Sequence, residues 1–492
     1  MPMIQGFNPR TGKPAGEPVA ETTEAEVNAA VEAAAEALPA WAALDDETRA
    51  RALEAIADAL DGHAAELVAL ADEETALGET RLTGEVGRTT GQLRLFAGVL
   101  RDGGYTDIAT SPAGGGIPEI RRISHPVGPV AVFAASNFPF AFSVMGGDTA
   151  SALAAGCPVV VKAHEGHPGT SDLTARLVLD ALGAAGAPAG VFALIHGVDA
   201  GLRLLKHPVI AAAGFTGSTA GGLALAAICA EREVPIPFFG ELGAVNPVVV
   251  LPGAATQRAA DIATGYAASL TLGAGQFCTN PGLLFVPDSD QGLRNALADA
   301  VTESSGAPML SERIYSGYEA ALAEIEAHPA VTAVAAGTTG EGPWAATPRL
   351  FSTTLEQFAA DTEVLAKERF GPAGLVITYP SAEELLPVLA QLEGNLVGSV
   401  HGDEDDRADL ATASQVIAVF ERTVGRIVWN GWPTGVAVNA AQHHGGPYPA
   451  TTAPLFTSVG SAAIRRWLIP VAYQGLPDGL RPARLAAQST EH

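Results

Sequence analysis

Four apolar runs, at residues 130–133, 158–161, 190–195 and 211–215, alternate with stretches of helical periodicity such as 171–184 and 200–205. Strands that are apolar throughout must be covered on both faces. Alternation with helices supplies that cover, so the pattern predicts βαβ units around a parallel sheet. A second series begins near Asn246, with strands at 247–251, 282–286 and 375–378 and a helix followed by a strand within 416–428. The fold class is therefore α/β, with two parallel-sheet units in the 492 residues.

Other segments do not belong to these series. Residues 22–100 read as helices: Thr23-Glu24-Ala25-Glu26 opens one that runs through Ala40, and most acidic side chains there fall on solvated faces. Residues 103–125 hold Gly103-Gly104, Pro112 and Gly114-Gly115-Gly116 before the strand-like Ile120-Arg121-Arg122-Ile123, and read as a hairpin excursion. Residues 127–147 are almost uncharged. Pro129 and Pro139 interrupt them, so a buried strand, a turn and a helix start fit better than a membrane span.

Charge excludes some partners. Lys+Arg is 28 and Asp+Glu 54, a net −26, which repels nucleic-acid phosphates and anionic lipid heads. The three cysteines, Cys157, Cys229 and Cys278, lack the spacing of a disulfide framework or a zinc site, and no metal site is expected. Residues 1–18 carry no basic-then-apolar signal pattern, so a cytoplasmic location is expected.

Five features carry possible chemistry. Cys278 lies among glycines and a proline in Gly275-Gln276-Phe277-Cys278-Thr279-Asn280-Pro281, on a loop before a strand, where a thiolate nucleophile is usable. Glu241 follows Phe238-Phe239, and an apolar setting would raise its pKa toward that of a neutral-pH base. Gly217 and Ser218, in Phe215-Thr216-Gly217-Ser218-Thr219, sit on a strand-to-helix turn that suits a pyrophosphate, although Ser218 also fits a plain helix cap. Lys162 is one of four lysines and ends an apolar strand, at the sheet edge where nucleotides bind; it also fits a lysine reaching to solvent. Asn137, after the first strand, fits either an oxyanion donor or an Asx turn. Taken singly, none decides a function.

In this order, however, Asn137-Phe138-Pro139, Lys162, Phe215-Thr216-Gly217-Ser218, Glu241-Leu242-Gly243, Gly275-Gln276-Phe277-Cys278 and Glu368-Arg369-Phe370-Gly371-Pro372 resemble the aldehyde dehydrogenase superfamily along nearly the whole chain. The segment Gly445-Gly446-Pro447-Tyr448-Pro449-Ala450-Thr451-Thr452 is similar to the α-ketoglutaric semialdehyde (2,5-dioxopentanoate) dehydrogenase branch. So is Gly243-Ala244-Val245-Asn246, where many members have Gly-Gly-Lys.

The resemblance implies two Rossmann-like domains and a β-hairpin oligomerisation arm. It places an NAD(P)-binding domain at 1–102 and 126–242, a catalytic domain at 243–440, and an arm and C-terminal tail at 103–125 and 441–492. It implies Cys278 as nucleophile, Asn137 as oxyanion donor and Glu241 as the base that activates water. Lys162, Glu165, Gly217, Ser218, Glu368 and Phe370 would bind NAD or NADP. Glu165 favours NAD, because a 2′-phosphate would meet like charge there unless His164, His167 and Arg203 offset it.

Phe140, Phe142, Met145, Phe277 and His443-His444 fall where relatives line the aldehyde tunnel. Gln276, Gln442 and the two histidines are candidates for the polar end of the substrate. The implied reaction is oxidation of 2,5-dioxopentanoate to 2-oxoglutarate; the alternatives are other short- or medium-chain (fatty) aldehydes, an acylating member or a non-catalytic member. The implied partners are a small aldehyde and further copies of the chain, as a homodimer or homotetramer, with neither nucleic acid nor membrane.

Overall fold

The computed structural model describes residues 2–487, so the last five residues of the tail lie outside the described residues. Strands β1 (Met3–Asn8) and β2 (Lys13–Ala20) form an N-terminal antiparallel pair. The sequence pattern did not indicate this pair. β2 is mostly exposed, β1 is largely half-buried, and their register slips at Gly6, so no period-2 apolar signal exists to be read. A second antiparallel sheet contains β3 (Ala109–Ser111) and β4 (Ile120–Pro126), the expected excursion.

The first parallel sheet contains β5 (Val130–Phe133), β6 (Val159–Lys162), β7 (Phe192–Ile195), β8 (Ala212–Thr216) and β9 (Phe238–Glu241), in the order β7-β6-β5-β8-β9. The chain enters at the centre, winds outward through β6 and β7, then returns to the other side of β5. That reversal opens a crevice at the carboxyl ends of β5 and its neighbours. Every residue of β5 and β6 is buried, as the apolar runs required.

The second sheet contains β10 (Val248–Val250), β11 (Leu283–Pro287), β12 (Thr332–Ala336), β13 (Arg349–Thr354), β14 (Ala373–Tyr379), β15 (Asn395–His401) and β16 (Val424–Trp429). Its order is β12-β13-β14-β11-β10-β15-β16, and only the edge strand β12 runs antiparallel. Finally β17 (Leu468–Gln474) pairs antiparallel with β4, which completes the three-stranded sheet β17-β4-β3. Among the described residues, no helix is long and apolar enough to cross a membrane.

The helix Glu24–Ala43 begins with a reciprocal cap, in which Thr23 Oγ1 accepts from Glu26 N–H and the Glu26 carboxylate accepts from Thr23 N–H. It continues past Pro39, three residues beyond the expected end at Ala40. Trp41 accounts for the extra turn: it is fully buried in the core with Leu53, Phe96 and Leu153, and its indole N–H donates to Leu153 O at 3.1 Å. That burial offsets the one helix hydrogen bond that proline removes. Trp41→Ala should therefore destabilise the protein by about 3–5 kcal/mol. Thermal unfolding followed by circular dichroism checks this; an unchanged midpoint would contradict the packing role.

Candidate active site

Cys278 is part-buried on a loop that the chain secures from several directions. The turn Leu272–Gly275 before it places Gly273, Ala274 and Gly275 all at positive φ, a conformation that alanine adopts only at a cost. A Cβ at Gly275 would run into Gly371, so the loop lies directly against the 368–372 segment. Gln276 is wholly buried, with Oε1 accepting from Leu310 N–H at 3.0 Å and Nε2 donating to Gly273 O at 3.1 Å. Its amide is thereby consumed, and the expectation that it meets substrate is corrected. Asn246 Nδ2 donates to Cys278 O at 2.7 Å and to Asn280 O at 3.0 Å. Among the described residues the Cys278 N–H finds no acceptor, which leaves it available to an oxyanion.

Glu241 ends β9 and is held there by the distant 450–452 segment. Leu242 N–H donates to Ala450 O at 2.8 Å, and Thr452 N–H to Gly240 O at 3.0 Å. The same C-terminal stretch delivers His444. Its N–H donates to Thr457 Oγ1 at 2.8 Å, and its carbonyl accepts from Ser458 N–H at 2.9 Å. His444 Nε2 stands 3.8 Å from Cys278 Sγ and 2.8 Å from Glu241 Oε1. The Oε1 contact lies off the hydrogen-bond axis, so it is electrostatic rather than aligned. The Ser458 hydroxyl donates to Glu241 Oε2. His444 was expected in the substrate tunnel; the structure brings it between the thiol and the carboxylate.

Two proton affinities are displaced in opposite directions. Burial opposes the charged form of Glu241, yet the His444 contact, the Ser458 hydroxyl and the Arg466 guanidinium outweigh it and bring its pKa below the ordinary value. This corrects the expected rise, which rested on the apolar neighbours alone. Burial, with the charges of Glu241 and Glu368 next, pushes the Cys278 thiol well up; Arg88 counters in part. At rest the thiol is protonated, and attack requires a base within reach.

Asn137 sits on the turn after β5. Its Nδ2 donates to Gln276 O at 3.0 Å, which brings the amide beside the cysteine loop. Two side chains of the helix Glu79–Asp102 secure this turn. Arg81 Nη2 donates to Asn137 O at 2.6 Å, and Glu85 Oε1 accepts from Phe140 N–H at 2.8 Å and Ala141 N–H at 3.0 Å. Phe140 and Met145, expected in the tunnel, are instead in the main core with 3% and 0% exposure. Phe138, Phe142, Phe277 and His444 remain as the linked aromatic group: Phe138 lies 5.3 Å from both Phe142 and Phe277, and Phe142 lies 6.4 Å from His444. Arg81, Glu85, Asn246 and Ser458 were missed in the sequence. For Arg81 and Glu85 a signal existed: they share an amphipathic helix with the buried Leu82, Val86 and Leu93, and Glu85 is itself buried.

Lys162 and Ser218, two of the residues expected to bind the cofactor, stand at the carboxyl ends of the first sheet's strands. Lys162, at the end of β6, forms an ion pair with Glu165. Ser218 Oγ caps the helix Thr219–Glu231 by accepting from Gly221 N–H at 3.2 Å. A Cβ at Gly217 would strike the Phe215 ring, and one at Gly243 would strike the Glu368 carboxylate. These glycines keep the turn and its facing wall open to a bulky anionic ligand, so the residues present fit a dinucleotide. Glu368 is pushed up to about 7 by burial, with the Ala244 N–H opposing, and it lines with Phe370 a hollow against Gly275 and Phe277 of the cysteine loop. His167 is fully buried and bonded to Ala135 O at 3.0 Å. His164 is pushed down to about 3 by burial and by His167, so it is neutral.

A model of the aldehyde dehydrogenase family matches residues 2–447. The chain is 44% identical to "Alpha-ketoglutaric semialdehyde dehydrogenase 2" of Azospirillum brasilense, over 91% of this chain and 86% of that protein. It is 41% identical to "Alpha-ketoglutaric semialdehyde dehydrogenase" of Acinetobacter baylyi, over 89% and 84%. Among solved structures, a lactaldehyde dehydrogenase matches with a TM-score of 0.83 at 21% identity, covering 96% of this chain and 95% of that one; this likeness shows the fold.

The Ser458 contact predicts a pH effect. Ser458→Ala removes a donor that favours the ionised carboxylate, so the Glu241 pKa rises. Activity that needs this carboxylate ionised is lost as pH falls through its pKa. The acid limb of the rate profile should therefore move to higher pH. An unmoved limb would show that Glu241 does not control it.

Proposed function

The chain belongs to the aldehyde dehydrogenase family, and from that premise we propose that it oxidises 2,5-dioxopentanoate to 2-oxoglutarate with Cys278 as nucleophile. It is an NAD(P)-dependent aldehyde dehydrogenase. The single observation that carries the catalytic part is the cluster of the Cys278 sulfur, a His444 ring nitrogen and a Glu241 carboxylate oxygen, all within 4.8 Å of one another. The substrate rests on the two curated relatives of that name.

The thiol proton passes to His444 Nε2, whose positive charge is supported by the Glu241 carboxylate 2.8 Å away. The sulfur attacks the aldehyde carbon and gives a thiohemiacetal. Its oxyanion accepts from the Asn137 amide and the Cys278 N–H, each worth about 3–4 kcal/mol in such sites. When bound, the oxidised nicotinamide supplies the hydride acceptor, and the cysteine is left as a thioester. Glu241 then takes a proton from water, which attacks the thioester, releases the acid and restores the thiol. The carboxylate disfavours an acylating enzyme, because it gives the thioester a hydrolytic exit.

In this reading Lys162, Glu165, Gly217 and Ser218 belong to the cofactor domain at 1–102 and 126–242, Cys278, Glu368 and Phe370 to the catalytic domain at 243–440, and residues 103–125 and 441–492 form the arm and the C-terminal tail. The cofactor in this reading is NAD. Glu165 already pairs with Lys162, and neither the neutral His164 nor the buried His167 brings a positive charge to meet a 2′-phosphate. Arg203 lies 4.0 Å from Glu24 and is directed elsewhere. The arm is the proposed contact between copies; its sheet exposes Ile469 and Val471 of β17.

The test is steady-state kcat/KM for 2,5-dioxopentanoate, succinate semialdehyde, glycolaldehyde and a medium-chain aldehyde, each with NAD and NADP. The five-carbon 2-oxo acid with NAD should lead. A medium-chain aldehyde in first place would overturn the substrate, and a preference for NADP above about tenfold would overturn the electrostatic argument. Glu241→Gln should leave a burst of reduced cofactor while turnover drops by about 10²–10⁴. Full turnover would remove Glu241 from the hydrolytic step.

A further inference from the structure

Arg88 lies on the helix Glu79–Asp102, two turns beyond Arg81, and its guanidinium packs over the Phe142 ring. Its Nε and Nη2 are buried and have no hydrogen-bond partner among the described residues. Buried guanidinium donors are seldom left so, because the lost hydration is not replaced. The obvious internal counter-ion is Glu85, one turn earlier. Its Oε1 is occupied by the Phe140 and Ala141 N–H groups; its Oε2 is also buried without a partner, and although the Glu85 charge acts on Arg88, no hydrogen bond joins the two among the described residues. Arg81, by comparison, donates from Nη2 to Asn137 O and lies over the Phe138 and Phe277 rings, although its Nη1 is also buried without a partner.

The position of Arg88 is as informative as its missing partner. Its Cζ lies 5.3 Å from the centroid of the Phe142 ring, and that ring faces His444 at 6.4 Å. The charge therefore sits one aromatic layer from the base beside Cys278. It is near enough to act on both the Cys278 thiol and the Glu241 carboxylate.

We propose that Arg88 is the specificity-determining residue that binds the distal carboxylate of the aldehyde substrate. Resting on the function proposed above, this assigns the substrate class: short aldehydes that carry a carboxylate at the far end. A planar guanidinium with two free N–H groups matches the two oxygens of a carboxylate. In 2,5-dioxopentanoate four carbon–carbon bonds separate the carboxylate from the aldehyde carbon, a span suited to one end on Cys278 and the other beyond the Phe142 ring. Phe142 and Phe138 then flank the methylene carbons. An uncharged aldehyde leaves the buried donors unpaired and gains nothing from them.

The experiment compares two aldehydes of equal carbon number, succinate semialdehyde and butanal, in the wild-type protein, Arg88→Met and Arg88→Lys. The ratio of their kcat/KM values should fall by at least about 30-fold in Arg88→Met, mainly through KM of the acid substrate. Arg88→Lys, which keeps the charge and loses the fork, should retain part of the ratio. A ratio held within about threefold in Arg88→Met would overturn the proposal, whether both rates fall together or neither does. A wild-type measurement stands if that variant does not fold: glutarate should inhibit butanal oxidation competitively, and its uncharged diamide should not. Equal inhibition by both, or by neither, would also overturn it. Failure of the proposed function is separate: wild-type protein would then prefer another carboxylate-bearing aldehyde, such as succinate semialdehyde, to 2,5-dioxopentanoate, while the Arg88 ratio would still read carboxylate recognition.

Discussion

A carboxylate 4% exposed must be supported or it takes up a proton, and the support given to Glu241 organises this molecule. Stripping an ion of water costs several kcal/mol even after relaxation. His444 and Ser458 offset that cost, and both arrive on a single C-terminal stretch. That stretch is in turn fastened to the end of β9 by Ala450 and Thr452. The charge of Glu241, the location of His444 and the path of residues 444–458 are therefore one problem with one solution. Two hundred residues of chain, including the whole second sheet, separate the partners in sequence and leave them in contact.

The same economy governs the cysteine loop. Its backbone adopts left-handed turns that leave few internal hydrogen bonds, and side-chain amides, one from outside the loop and one of the loop itself, fasten it to its surroundings. Asn246 reaches Cys278 O, and Gln276 reaches Leu310 N–H. Asn246 is itself at φ 46°, held because Asn395 Oδ1 accepts from its N–H at 3.0 Å. A nucleophile mounted this way is positioned by side chains of both sheets, and the thiol stays protonated until a base acts on it.

The parallel sheets were legible because their strands are apolar end to end: β5, β6, β8 and β11 are each within a residue or two of the runs that marked them. The N-terminal pair β1–β2 and the edge strand β12 were not, because half-exposed strands carry no continuous apolar signal. β13 and the wholly buried β15 were missed for another reason: polar residues such as Ser352, Asn395, Ser399 and His401 break up their apolar runs. Within the site, the order of motifs singled out Cys278, Glu241, Asn137 and Lys162. Sequence could not show that Glu241 gains two polar partners more than two hundred residues away, so its proton affinity was expected to move the wrong way. Nor could it separate Phe142 beside His444 from Phe140 and Met145 in the core, since all three share one short turn. Arg88 was hidden for a related reason: an arginine on a helix is ordinarily solvated, and only the packing of Phe142 against it shows otherwise.

The central claim is that His444 takes the thiol proton. Rapid mixing of the protein with cofactor and aldehyde near neutral pH measures the first hydride transfer, before hydrolysis intervenes. His444→Gln should slow that burst by about 10²-fold or more, and the lost rate should return as pH rises and the thiol ionises unaided. A His444→Gln burst at the wild-type rate near neutral pH would contradict the account, because the thiol would then need no base at this position.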